Sequence, residues 1–446
     1  MFKYLLQRKE KWERKQKAAS FVLHQSQQYL RGIESRLAKR LDSRLVRTFY
    51  DLFMVILTFR NRSMGLVLSE LGGYVCGFDH AAAGTKRISN LLRSKNWASE
   101  QVDEMFQERS KMRLDQMLQK GQRPLLLWDD SRLEKPESWF SEGLCPVYSS
   151  KGQRLTRIKP GYYRQPRGRI CVPGFEWTAV LLSALGAVPR VYQMTWWTSR
   201  GKFKDSGDNI LYRMLKKIQL QFGSAALHVF DRGYASAQML QWLFHFQQDF
   251  IIRWKKNYLM INELGVEKHT HLVARSYKGQ SSRLVWDKER KKFKRLTIAW
   301  APLKHPQMPD IQLYMVIVRD KKNHNGPMYL LTSIPILSAK SAWEICSSYL
   351  HRWNVEQAFR FGKSELAMES PRLWFWENRL KLLAIVALVF DFLLQLLQNW
   401  RPWVAQFINN WCHRTGNRHR KASMPIYRFR QAISNCLAHY LAQNSG

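Results

Sequence analysis

The segment LLLWDDS, residues 125–131, marks the point where the pattern of the chain changes. An apolar run that ends in aspartate is typical of a buried β-strand that leads to a polar edge. Similar runs follow in RICVPGFEW (169–177), VYQMTWW (191–197), LHVFDRGY (227–234) and DFIIRWK (249–255). Helical patterns at 209–222 and 236–246 separate some of them. Strands that alternate with helices predict an α/β domain around a mixed sheet.

Residues 1–120 differ from this region, because their apolar positions recur three and four apart among many arginines and lysines. They predict an all-helical N-terminal domain that binds DNA. Within it, Gly72, Gly73 and Gly77 predict a break before TKRISNLLRSKNW (85–97), which reads as a short basic helix. Lys86 and Arg87 on that helix fit two interpretations equally well: the recognition element of a helix-turn-helix, or a solvated basic face.

The second half of the chain predicts three further regions. Residues 257–326 are patchy and basic and predict a β-rich insertion, so that the α/β core comprises 121–256 and 327–400. The apolar stretch 380–397 contains Lys381, Asp391 and Gln395, which favours a buried core helix over a membrane span. Residues 401–446 have no acidic residue and predict a basic C-terminal helical segment.

The net charge of the chain narrows the range of functions that fit the sequence. The chain has 72 Lys and Arg against 34 Asp and Glu, a net charge of +38, and its aromatic content of 13% excludes a disordered basic tail. A folded protein with this charge attracts polyanions, and nucleic acid is the expected partner. The 6 cysteines lack the spacing of a zinc or redox motif, which favours reduced thiols in a cytoplasm.

Acidic residues lie where an α/β scaffold presents side chains. Asp129 and Asp130 end one predicted strand, Asp231 ends another, and Glu356 lies in a predicted helix. Carboxylates gathered from separate elements suit Mg²⁺ and two-metal phosphoryl chemistry. Each acid alone is equally compatible with a turn or a helix cap, and a metal-free glycosidase with two carboxylates is an alternative that the net charge disfavours.

The predicted helix around Glu356 carries a stronger pattern. Tyr349, Arg352, Glu356 and Lys363 are spaced by three, four and seven residues, which places them on one stripe of a continuous helix. The stripe offers a metal-binding acid beside a phenol and two cations suited to phosphate.

Together these motifs resemble those of the DDE transposases of the insertion-sequence-four superfamily, which includes the enzymes of the cut-and-paste transposons five and ten. YLHRWNVEQAFRFGK (349–363) matches the family's Tyr-Arg-Glu-Lys signature without a gap, and WDDSR and FDRGY match its two aspartate motifs. The resemblance covers about residues 120–400 and implies a ribonuclease-H-like catalytic core. In the doublet, Asp129 is preferred over Asp130 because it keeps the Asp-x-Ser spacing.

The resemblance also implies a mechanism. Asp129, Asp231 and Glu356 would bind two Mg²⁺ or Mn²⁺ ions, while Tyr349, Arg352 and Lys363 would hold phosphates of double-stranded DNA. The enzyme would cleave transposon ends and join their 3′-hydroxyls to target DNA, acting as a homodimer in a synaptic complex in the bacterial cytoplasm, at the nucleoid, without a membrane.

Three further predictions concern the DNA path and the dimer. The basic stretch 151–169, with Arg154, Arg157 and Lys159, is expected to line the DNA. Trp286 is the first candidate for a platform on which a base stacks if DNA hairpins form, ahead of Trp300 and Trp254. The aromatics Trp400, Trp403 and Trp411 are expected to contribute to a contact between protomers.

Two other functions remain open from sequence. One is a domesticated or regulatory DNA-binding protein without catalysis, and the other is a metal-dependent nuclease on the same fold. Intact acids at all three positions favour catalysis, and strand transfer by a 3′-hydroxyl end would separate a transposase from a nuclease.

Overall fold

The computed structural model describes residues 2–138, 140–150, 163–164, 170–287, 292–320, 326–412 and 425–444. The chain before residue 120 is helical, in α1 (Phe2–Ala38), α2 (Ser43–Thr58), α3 (Leu68–Cys76), α4 (Ala81–Arg93) and α5 (Glu100–Gln119). Helix α2 begins where the Asp42 side chain accepts a hydrogen bond from the backbone N–H of Leu45. Its apolar face, with Phe49, Leu52 and Phe53, is fully buried.

Two of the three glycines that are predicted to break the chain before α4 lie inside a helix. Gly77 ends α3 with a φ of 85°, as predicted, but Gly72 and Gly73 lie inside α3. Gly72 faces Gly84 of α4 so closely that a Cβ on Gly84 would lie 2.2 Å from the Gly72 carbonyl oxygen. These two glycines therefore allow a close crossing of α3 and α4, where any side chain would force the helices apart.

One mixed sheet runs through the rest of the protein. Its strands are β1 (Leu125–Glu134), β2 (Cys145–Tyr148), β3 (Tyr163–Arg164), β4 (Ile170–Ser183), β5 (Arg190–Trp197), β6 (Leu227–Phe230), β7 (Phe250–Arg253), β8 (Leu259–Ile261), β9 (Glu267–His269), β10 (Ser281–Asp287), β11 (Lys292–His305), β12 (Met308–Asp320) and β13 (Met328–Thr332). The strand order is β2-β4-β1-β6-β7-β13-β12-β11-β8-β9, with β3 and β5 paired to β4 and β10 paired to β11.

Both faces of the central strands are covered, which explains why their sequences are continuously apolar instead of alternating. In β1, Leu125 and Leu127 belong to the core shared with the C-terminal helices, whereas Leu126 and Trp128 belong to a second core on the other face. That second core is closed by α6 (Gly207–Phe222) and α7 (Ala237–His245). The predicted α/β architecture is therefore present, with a large sheet between helical layers.

The remaining helices are α8 (Thr270–Arg275), α9 (Ala339–His351), α10 (Trp353–Ser364), α11 (Trp376–Asn399), α12 (Arg401–Trp411) and α13 (Ile426–Asn444). Helix α11 is long and apolar enough to cross a membrane, yet 89% of its most apolar window is buried inside the protein. Its Asp391 accepts hydrogen bonds from Arg190 Nε at 2.8 Å and Tyr29 Oη at 2.9 Å. A core helix with compensated charges is what its sequence predicts.

The C-terminal helices pack on the N-terminal ones. Arg430 of α13 donates to the carbonyl oxygens of Ile56 at 3.0 Å and Phe59 at 2.9 Å, at the end of α2. The Trp403 ring lies 4.4 Å from the Phe21 ring of α1, and Trp411 is partly buried in the same core. Trp403 and Trp411, which are predicted to contribute to a contact between protomers, are thus partly buried within their own chain, while Trp400 is 40% exposed.

Candidate active site

Two of the three predicted acids come together because β1 and β6 are parallel neighbours. Leu127 of β1 is paired in register with Val229 of β6. Asp231 follows the end of β6, whereas Asp129 lies inside β1, which continues to Glu134 instead of ending at Asp129 as predicted. The pairing therefore brings the two carboxylates side by side where β6 ends, at the carboxyl end of a parallel pair of strands, where α/β proteins usually build their sites.

The third acid, Glu356, lies in a helix that is shorter than predicted. The expected continuous helix is interrupted at Arg352: α9 ends at His351 and α10 begins at Trp353. At this point the Arg352 N–H donates to the Tyr349 carbonyl at 3.0 Å, a tight turn instead of an α-helical one. The predicted continuous helix is therefore interrupted, yet the side chains of Tyr349, Arg352 and Glu356 still face one site.

Arg352 joins the three acids. Its Nη1 lies 3.0 Å from Asp129 Oδ2 and its Nη2 lies 3.9 Å from Asp231 Oδ1, and it also forms an ion pair with Glu356. The residue is only 6% exposed. Burial disfavours its charge, but the neighbouring carboxylates outweigh burial and raise the pKa of Arg352 above its usual range.

The surroundings of Asp129 and Tyr349 shift the pKa values of both side chains. Burial, with a smaller contribution from the charges of Asp231 and Glu356, raises the pKa of Asp129 to about 7 against the opposing effect of Arg352. Tyr349 donates from Oη to Asp231 Oδ1 at 3.2 Å. Because burial raises the pKa of Tyr349 to about 12, it remains a neutral phenol that orients Asp231.

The neighbouring Asp130 belongs to a different set of contacts. It accepts a hydrogen bond at 2.6 Å from Thr178 Oγ1, and Thr178 accepts one at 3.1 Å from Trp197 Nε1. Thr178 is directly paired with Asp130 because β4 runs antiparallel to β1. Sequence reasoning missed Thr178 and Trp197, because only the strand pairing reveals them. Of the two aspartates in the doublet, Asp129 is the one that contacts Arg352.

The donor set suits a divalent cation. Carboxylate oxygens from three separate elements are ligands that Mg²⁺ and Mn²⁺ prefer. Within the part of the chain that the structure describes, no three His, Cys, Asp or Glu side chains converge closely enough to hold a metal as they stand. The three acids converge on the Arg352 guanidinium instead, so a positive charge already lies between them.

The other predicted residues have varied surroundings. Lys363 lies 3.9 Å from Glu369, while Arg87 pairs with Asp51 of α2 at 2.9 Å and Lys86 is exposed. Trp286 on β10 is 49% exposed, and its ring contacts Phe293 edge-on at 5.1 Å. Arg154, Arg157 and Lys159 lie outside the described residues.

Comparison with known families matches part of the chain. Residues 206–390 match the transposase DDE domain, an interval that contains Asp231 and Glu356 and begins after Asp129. The match is to a domain of DDE transposases, a class of metal-dependent enzymes that cut DNA. No curated protein is significantly similar to the chain.

Among solved structures, the chain is similar to a cryo-EM structure of the piggyBac transposase synaptic complex with hairpin DNA. The similarity covers 91% of this chain and 73% of that one, with a TM-score of 0.41 and 12% sequence identity.

Proposed function

We propose that this protein is a cut-and-paste DNA transposase of the insertion-sequence-four type, with a ribonuclease-H-like core. The observation that carries the proposal is the convergence of Asp129, Asp231 and Glu356 on one buried cationic centre. The strand order β5-β4-β1-β6-β7 supports the core, since β1 is antiparallel to β4 and parallel to β6, and β7 is parallel to β6.

Asp129, Asp231 and Glu356 would hold the Mg²⁺ or Mn²⁺ ions. When bound, such ions activate a water or hydroxyl and stabilise the leaving oxygen in phosphoryl transfer. The chain itself supplies the orientation: Tyr349 holds Asp231 through its hydroxyl, and Arg352 gathers the three carboxylates before any ion arrives. The net charge of +38 supplies attraction for the DNA backbone.

The DNA partners in this proposal are the two ends of the element and a target duplex. A homodimer pairs the ends, and the reaction takes place at the nucleoid of a bacterial cytoplasm. Lys86, Arg87 and Lys363 would contribute phosphate contacts. A metal-dependent nuclease remains the second candidate, because the same carboxylates serve both reactions.

The experiment uses labelled DNA that carries the segments flanking the coding region, incubated with the protein in Mg²⁺ or Mn²⁺. Asp129→Asn, Asp231→Asn and Glu356→Gln should each abolish cleavage while DNA binding persists, whereas Asp115→Asn, an exposed acid of α5, should cleave normally. Joining of a 3′-hydroxyl end to a second DNA identifies a transposase, and cleavage without joining identifies a nuclease. Full cleavage by any of the three site variants would refute the assignment.

A further inference from the structure

A cavity of about 540 Å³ opens next to the candidate active site. Strands β6 and β7 are parallel and Phe230 is paired with Ile252, so Asp231 and Arg253 follow side by side at the same sheet edge. Arg232 and Arg253 border the cavity on this side. Arg253 is close enough to the site for its charge to act on the Tyr349 hydroxyl.

The cavity is lined by cations without counter-ions. Its walls include Arg232, Arg253, Lys256, Arg275 and Arg319, and no Asp or Glu of the described residues lines it. Arg232, Lys256 and Arg275 are exposed at the rim of the cavity, and Arg253 is half-buried. Among the described residues, the first four cavity cations form no ion pair. Like charges gathered in this way repel one another, so the arrangement favours an anion.

The Arg319 wall of the cavity is preorganised. Arg319 Nη2 donates to the carbonyl oxygens of Ala274 at 2.7 Å and Tyr277 at 2.8 Å, which fixes the guanidinium. Its Nη1 is buried and has no hydrogen-bond partner in the part of the chain that the structure describes. The same holds for Nε1 of Trp254, a residue only 1% exposed that also lines the cavity. Because both atoms are closed to solvent, a ligand in the cavity does not reach them, and Arg319 contributes the positive charge of a guanidinium that its two carbonyl bonds hold in place.

We propose that this cavity binds a phosphate group of the DNA strand that reaches Asp231, at a position other than the cleaved phosphate. None of Asp129, Asp231 and Glu356 lines the cavity, so the phosphate held there is distinct from the one facing these acids. A metal ion is excluded as the occupant because the lining offers no anionic ligand. The inference rests on the proposed function for the source of the phosphate, although the phosphate chemistry follows from the cavity alone.

The test compares the double variant Lys256→Gln/Arg275→Gln with a control, Lys216→Gln/Lys268→Gln, whose two exposed lysines lie outside the cavity. DNA binding is measured in EDTA over a range of salt concentrations. Losing one phosphate contact should reduce the slope of log K against log salt by about 1. We also expect affinity to fall roughly tenfold relative to the control variant.

A scan with single neutral methylphosphonates locates the phosphate: one position should weaken binding to the unmodified protein and leave the double variant unaffected. The conservative variant Lys256→Arg/Arg275→Lys should restore the slope. If the double variant shows the same salt slope as the control variant, the cavity is not a phosphate site. If the double variant does not fold, Arg275→Gln alone is tested, and normal DNA binding by that variant would likewise overturn the cavity site. A different result would overturn DNA as the source of the phosphate: the unmodified protein binds a nucleoside triphosphate, the double variant does not, and the salt slope for DNA binding is the same in both. Cleavage by Asp231→Asn, by contrast, would refute the proposed catalytic function and leave the cavity result standing.

Discussion

Arg352 and Asp129 are distant in sequence, yet the Arg352 guanidinium donates to the Asp129 carboxylate with 3.0 Å between Nη1 and Oδ2. The same guanidinium also pairs with Glu356 and lies 3.9 Å from Asp231. Three carboxylates that would repel one another are thereby held together by a side chain of the same protein. A divalent ion that binds these oxygens must displace this positive charge.

The first prediction follows from that competition. Arg352→Gln should bind Mn²⁺ about tenfold more tightly than the unmodified protein, because a cation no longer lies among the carboxylates. In metal-free buffer the same variant should lose about 1–3 kcal/mol of unfolding free energy, because the acids then lack a partner. Calorimetric titration with Mn²⁺ and urea unfolding measure the two effects. Arg360→Gln, an exposed arginine of α10, is the control, and weaker Mn²⁺ binding by Arg352→Gln would contradict the competition.

The second prediction separates the aspartate doublet. Asp129→Asn should reduce cleavage by at least about a thousandfold, as expected for a residue that holds a catalytic ion. Asp130→Asn should cost less than about tenfold, because Asp130 bonds to Thr178 and does not contact Arg352. Single-turnover cleavage in Mn²⁺ measures both, with thermal melting to confirm folding. Equal losses in the two variants would show that the strand register does not assign the ligand.

The third prediction concerns His228, which is fully buried between two partners. Trp128 Nε1 can only donate, so His228 Nδ1 accepts at 3.1 Å, and the ring proton therefore lies on Nε2, which donates to Gln248 Oε1 at 3.0 Å. Both ring nitrogens are satisfied only in the neutral form. Burial lowers the pKa of His228 from 6.5 to about 4, against the opposing hydrogen bond with Gln248.

Because the pKa is lower in the folded state, the unfolded chain takes up the proton first as the pH falls. The stability contributed by neutral His228 is therefore complete above pH 6.5 and is lost progressively down to about pH 4. The loss should total about 3 kcal/mol. Urea unfolding of the unmodified protein and of His228→Gln measures this loss. The unfolding free energy of His228→Gln should depend less on pH over this interval than that of the unmodified protein. The control is His24→Gln, a substitution of an exposed histidine, which should leave the pH dependence unchanged. Parallel curves for His228→Gln and the unmodified protein would disprove the neutral tautomer.

The fourth prediction concerns Trp286, an exposed aromatic residue of β10. Trp286 is 49% exposed and contacts Phe293, so replacing it by alanine should change the unfolding free energy by less than about 1 kcal/mol. If the reaction proceeds through DNA hairpins, Trp286→Ala should leave first-strand nicking near normal and reduce hairpin formation about tenfold, because the unstacked base loses its platform. End-labelled DNA on denaturing gels resolves the two steps, with Trp300→Ala as the comparison. Normal hairpin formation by Trp286→Ala would exclude it as the platform.

The close crossing of α3 and α4 shows how local patterns can mislead. Gly72 and Gly73 were predicted to break the chain, because glycine lowers helix stability in isolation. Inside the protein, the contact between Gly72 and Gly84 outweighs that propensity. Periodicity likewise predicts one continuous helix through Tyr349 and Glu356, whereas the packed structure has a tight turn at Arg352 between α9 and α10.

The sequence by itself determined the α/β class and the buried character of the 380–397 helix, because apolar periodicity is a local property, and it predicted the three acids of the candidate site. The tertiary structure alone decided that Asp129, rather than Asp130, contacts Arg352, that Thr178 bonds to Asp130, and that Arg253 lies beside Asp231. Each of these depends on strand register, and a shift of one residue in the pairing of β1 with β4 or β6 would reverse which side chains share a face. Register is set by contacts between segments far apart in the chain, and no local pattern encodes it.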